Sequence, residues 1–175
     1  VLGGFGNTAN ATFSVNNASG VRLQSNWTLA GPLSFTAGVL DAGANTLAIA
    51  AAGGVTGASA GSGWVNGRLR RVIPAGASTR TFDVGDDVTY APVTVAVSGA
   101  AAAFDLVARS VAGDHPEIGA SGLDAAATAN RWWALEPAGS PAFTSYDATF
   151  SFAAPDLDAG ADPAQFEPRR WDGTA

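Results

Sequence analysis

Three strand-like runs of apolar and polar residues follow one another between Gly63 and Gly99, each bounded by turn residues. Val93, Val95 and Val97 are separated by Thr94 and Ala96, the period of a strand with one buried face. Earlier in the stretch, Trp64, Asn66 and Arg68 fall on one side, with Val65, Gly67 and Leu69 on the other. Turn residues lie between the runs, in PAGAST and VGDD. Asn66-Gly67 is a hairpin-type dipeptide, followed at once by Arg68, Arg70 and Arg71.

Before Gly63 the apolar positions are sparser: Val21, Leu23, Trp27, Leu29, Leu33, Phe35, Val39, Leu40, Leu47 and Ile49. Strands of three to five residues between Gly, Asn and Asp fit this spacing. Such rungs suit β-solenoid coils, and a pair of sandwich strands fits as well. Ala11 to Val15 is strand-capable, with Phe13 and Val15 on one face.

After Val97, the pattern predicts a strand over 102–110, with Phe104, Leu106 and Ala108 facing one way. Leu123 to Thr128 predicts one helical turn. NRWWAL predicts a strand with Trp133 and Leu135 on one side and Trp132 on the other. Ser145 to Ala153 predicts another strand, and Gln165 to Trp171 a last run. No helix of ordinary length is expected. The reading is an all-β chain: short solenoid-like rungs over 1–62, then an antiparallel β-sandwich over 63–175.

Composition narrows the chemistry. The 175 residues suffice for one large all-β domain or two small ones. There is no Cys, which excludes disulfides, thiol catalysis and thiolate metal sites. All nine basic residues are Arg, so a Schiff base and a P-loop lysine are excluded too. A net charge of −6 argues against nucleic acid as a partner and suits solubility. No apolar run approaches the length of a membrane span.

Few residues invite a catalytic reading. His115 is the only His, no G-x-S-x-G elbow accompanies it, and its place before Pro116 is that of a turn residue. The three Glu residues each adjoin Pro, so an acid–base pair across a cleft is not indicated. Two acidic loops stand out, with Asp83, Asp86 and Asp87 in one and Asp156, Asp158 and Asp162 in the other. Closely spaced carboxylates supply hard oxygen ligands, so a structural calcium is one reading. Turn formation by Asp is the other. Neighbouring Trp132 and Trp133 point to opposite faces of a strand. One belongs to the core, and the other is either covered or free to stack on a sugar ring, as in a carbohydrate-binding module. Arg131, with Arg68, Arg70 and Arg71, is expected in surface ion pairs of small individual effect.

Five blocks recur together: VNGRLRR, FDVGD, DHP, NRWW and SYDATF. In this order they resemble a β-sandwich module of large bacterial secreted and cell-surface proteins, over about Gly63 to Ala175. The resemblance implies an extracellular location, a non-enzymatic structural or adhesive role, and no catalytic residues to carry over. Expected partners are copies of the chain or neighbouring modules of the same protein, with polysaccharide as the alternative. In similar modules a further strand follows the W-D-G-T segment. Its lack here leaves an edge that an N-terminal arm of a neighbour, carrying Phe13 and Val15, is able to fill, giving a head-to-tail filament.

Overall fold

In the computed structural model, residues 11–173 are described. The chain is all-β. Its strands, in order, are β1 (Phe13–Asn16), β2 (Val21–Arg22), β3 (Trp27–Leu29), β4 (Leu33–Ala37), β5 (Leu40–Ile49), β6 (Val55–Thr56) and β7 (Val65–Ile73). There follow β8 (Gly76–Phe82), β9 (Val84–Gly85), β10 (Val93–Ala100), β11 (Phe104–Ala112), β12 (Arg131–Pro137) and β13 (Ser145–Phe150). Helical structure among the described residues is confined to three single 3₁₀ turns. Among the described residues no helix is long and apolar enough to cross a membrane, a statement that covers helical spans alone.

The first half coils. β1, β4 and β6 pair in parallel, one after the other. So do β2 and β3 with β5, then β5 with β7, then β7 with β9. Through β7 each turn of chain therefore adds one rung to each of two sheets, the stacking of a short β-solenoid, and β9 adds a further rung to one of them. The register keeps like above like. Val21, Leu40, Val65 and Val84 occupy one position in four successive strands. Trp27, Leu47 and Leu69 form a second column, and Phe13, Leu33 and Val55 a third. The middle members of these columns are fully buried. Burying a Leu side chain contributes about 1.5–3 kcal/mol, so these columns hold the coils together.

The corners between rungs need glycine. Gly38 has φ +93°, and a Cβ there would run into the Asn17 carbonyl one coil earlier. Gly63, one coil later, stands in the same relation to the Gly38 carbonyl. Neighbouring coils come too close at this corner for any side chain.

At β7 the chain changes habit. Its first residues pair in parallel with β9, while Leu69 to Ile73 pair antiparallel with β11. β12 then adds antiparallel to β11. A separate sheet runs β13-β10-β8, also antiparallel. Val93, Val95 and Val97 of β10 bury against the same core as Leu69, Ile73, Leu106 and Ala108. The expected boundary between residues 62 and 63 is crossed by the β5–β7 ladder, and one hydrophobic core spans both halves.

Several local expectations change. Asn66-Gly67 makes no hairpin: both residues lie inside β7. Gly67 faces a bulge in β5, where four residues between Asp41 and Thr46 loop out of register, and it takes φ +113° close above Ala42. The helical turn expected at Leu123 to Thr128 is an isolated hydrogen-bonded turn, with the Ala127 amide donating to the Asp124 carbonyl and the Ala126 amide to its carboxylate; a 3₁₀ turn lies just before it at Ile118–Ala120. Gln165 to Trp171 forms no strand, since Pro163 and Pro168 withhold two ladder N–H groups around it.

Candidate functional site

Two places gather polar chemistry. One is a buried junction of loops at the start of β12. The other is the outer face of the seven-stranded sheet formed by β2, β3, β5, β7, β9, β11 and β12.

Arg131 opens β12 on the same side as Trp133, two residues on, so strand alternation turns it inward. Its side chain is 1% exposed. Nε and an Nη donate to the two oxygens of Asp156, at 2.9 and 2.7 Å. The same Nη donates to Asp86 at 2.8 Å, and the other donates to Ser110 Oγ at 2.7 Å. The two acidic loops of the sequence thus meet, on a guanidinium. This corrects the expectation that Arg131 makes a surface pair. It also occupies two of the carboxylates read as calcium ligands. Asp86 further accepts from the Val88 and Thr89 amides, and Asp156 from the Ala153 amide.

Burial opposes ionisation of Asp86. The Val88 amide, the Arg131 guanidinium and the Thr89 amide outweigh it and hold the carboxyl below the usual aspartate value. Burial likewise opposes the charge on Arg131, yet Asp156 and Asp86 raise its pKa. Asp83 behaves in the opposite way. Burial pushes its carboxyl up, against a 2.7 Å hydrogen bond from Tyr90 and the charge of Arg71.

The remaining acidic residues serve nearby backbone. Asp158 accepts from the Thr128 amide and from Asn130 Nδ2, which lower its pKa. Asp162 accepts from the Ala164 amide and caps a 3₁₀ turn. Asp87 is exposed. Among the described residues, no three His, Cys, Asp or Glu side chains cluster closely enough to hold a metal ion.

The two tryptophans separate as alternation requires. Trp133 packs inward, its ring 4.9 Å from that of Phe150, and its Nε1 donates to the Ala91 carbonyl at 2.9 Å. Trp132 faces outward, but its ring is not free. Arg109 lies 5.4 Å over it, and His115 meets it edge-on at 4.9 Å. His115 in turn leans on Trp171 at 5.9 Å.

Phe13 and Val15 lie in β1, opposite Leu33 and Phe35 of their own chain, and Val15 is 1% exposed. The assembly strand expected from these two residues is therefore occupied within its own coil. The rest of the N-terminal arm, residues 1–10, lies outside the described residues.

Sequence reading missed the Trp64 indole, which donates to the Asp86 carbonyl at 2.7 Å and gives that loop a second tether beside Arg131. It also missed the outer sheet face. There Arg68 forks onto Glu136, at 3.0 and 2.6 Å, and Arg70 meets Asp105 at 3.2 Å. Alternation places Arg68 and Arg70 on one face of β7. Only the strand order brings Glu136 and Asp105 beside them.

No family model, curated protein or solved structure matches this chain.

Proposed function

We propose that the chain is a non-enzymatic structural module of a large extracellular bacterial surface or secreted protein. The observation that carries the reading is the continuity at β7, where parallel coils pass into antiparallel strands without a break in the core. On this reading the second half is a β-sandwich closing the end of a solenoid. Sheet β13-β10-β8 forms one layer, and β7, β11 and β12 form the other. Stacked coils need such an end, because an uncovered last coil leaves apolar side chains in water. Its partners are neighbouring modules of the same protein.

The polar groups support this role. The buried guanidinium of Arg131 is held by Asp86, Asp156 and Ser110. The lone His packs against two tryptophan rings, and its Nδ1 accepts from the Glu117 amide. The buried charges tie loops together.

The test is labelling of the producing cells with an antibody raised against the folded chain. Signal on intact cells, or in the medium, is expected. Signal that appears only after permeabilisation overturns the extracellular assignment.

A further inference from the structure

The outer face of the seven-stranded sheet carries a shallow groove of about 550 Å³. One row of its lining runs straight across the strands: Thr28 of β3, Ala48 of β5, Arg70 of β7, Val107 of β11 and Glu136 of β12. Neighbouring strands lie about 4.8 Å apart, so this row is about 19 Å long. Ala48 and Val107 keep the floor low and apolar. Arg68, Arg70, Asp105 and Glu136 supply the polar groups.

We propose that this groove binds an uncharged oligosaccharide lying across the strands. Three features select that chemistry. First, the two guanidinium groups and two carboxylates in the lining cancel in charge. The chain as a whole carries −6, so an anionic ligand gains nothing here and meets general repulsion. Second, donors and acceptors stand side by side, each guanidinium paired with a carboxylate. An Arg carries five N–H donors and a carboxylate about four acceptor sites. The fork between Arg68 and Glu136 uses two of each, leaving the remainder for a ligand. Vicinal hydroxyls, which donate and accept at once, match such a surface. Third, the ion pairs hold these side chains in place before any ligand arrives, which lowers the entropy lost on binding.

This site differs from the tryptophan platform expected from the sequence. Trp132 lies further along the same face of β12, but Arg109 and His115 already cover its ring. Binding therefore depends on the ion-paired groove and leaves Trp132 aside. The inference is independent of where the protein is located.

The experiment is titration calorimetry of the whole chain with neutral hexasaccharides of glucose, xylose and mannose, with galacturonate hexamer as the charged control. At least one neutral hexasaccharide is expected to bind. Arg70→Ala and Glu136→Gln should each weaken it by about tenfold or more, as expected for loss of hydrogen bonds to charged groups. Trp132→Ala should leave affinity within about twofold, since that ring makes no contact with the row. Arg70 is 41% exposed, so its truncation leaves the fold intact, and an unchanged circular dichroism spectrum verifies this. Absence of binding to every neutral hexasaccharide overturns the proposal. So does preference for the galacturonate control, or affinity that the two groove variants leave unchanged.

Discussion

Arg131 is held by four hydrogen bonds to two carboxylates and a serine, at a position where its side chain is almost wholly out of water. Removing one partner of a buried ion pair leaves an uncompensated charge, at a cost of about 3–5 kcal/mol. Arg131→Ala should therefore lower stability by about that amount, or on the order of 10 °C in Tm for a chain of this size. Chemical denaturation measures it. The surface pair Arg169–Glu167, both largely exposed, is the control, and Arg169→Ala should change stability by less than about 0.5 kcal/mol.

The same junction sets a pH dependence. The folded carboxyl of Asp86 titrates below its unfolded value. Its stabilisation is thus full above the unfolded pKa, near 4, and is lost as pH falls through the folded pKa. Asp83, whose pKa is raised, acts in the opposite sense: its contribution is present at low pH and is lost as pH rises through the folded value. Asp86→Asn should flatten the acid side of the stability profile below about pH 4. Asp83→Asn should leave that acid limb at least as steep. Urea titrations at stepped pH read both variants.

At the scale of elements, the parallel columns depend on corners where backbones touch. Gly38→Ala places a Cβ against the Asn17 carbonyl and forces a left-handed conformation on a residue that disfavours it. A loss of at least about 2 kcal/mol is expected. Gly119→Ala, at a position with open space and no such φ, should be near neutral. The loops give a second expectation. Because Asp86 and Asp156 are turned to Arg131, calcium and EDTA should leave Tm unchanged. A clear rise with calcium would show that these carboxylates serve a metal after all.

Strand existence was legible where alternation is regular; Gly76 to Thr79 and Val84-Gly85, which read as turns, lie in β8 and β9. Val93, Val95 and Val97 alternate cleanly because one sheet face covers them, and β10 lies where that pattern puts it. The coil period was not legible. Partners recur at Phe13, Leu33 and Val55, and at Val21, Leu40, Val65 and Val84, so the spacing varies as loops and a bulge absorb extra residues. The burial of Arg131 could have been read from its alternation with Trp133. Its partners could not, since Asp86 and Asp156 reach it only through the fold. The groove stayed hidden for the same reason: Arg68 and Glu136 are far apart in sequence and meet across β11.

At the scale of the whole molecule, coils and antiparallel layers share one core, with Leu47 and Leu69 stacked across the position where composition changes. A fragment of residues 63–175 loses the β5 partner of β7 and exposes Val65 and Leu69, both fully buried in the whole chain. The isolated fragment should therefore lack a cooperative transition, and its proton NMR spectrum should be poorly dispersed. A well-dispersed spectrum would mean that the layers stand without the coils.

Differential scanning calorimetry of the intact chain bears on this continuity most directly. One endotherm is expected, with the calorimetric enthalpy equal to the van't Hoff enthalpy, because the rungs and the layers unfold as one unit. Two resolved endotherms, or a calorimetric enthalpy well above the van't Hoff value, would show that the halves are separate bodies and would contradict parallel coils carried through β7 into the antiparallel strands.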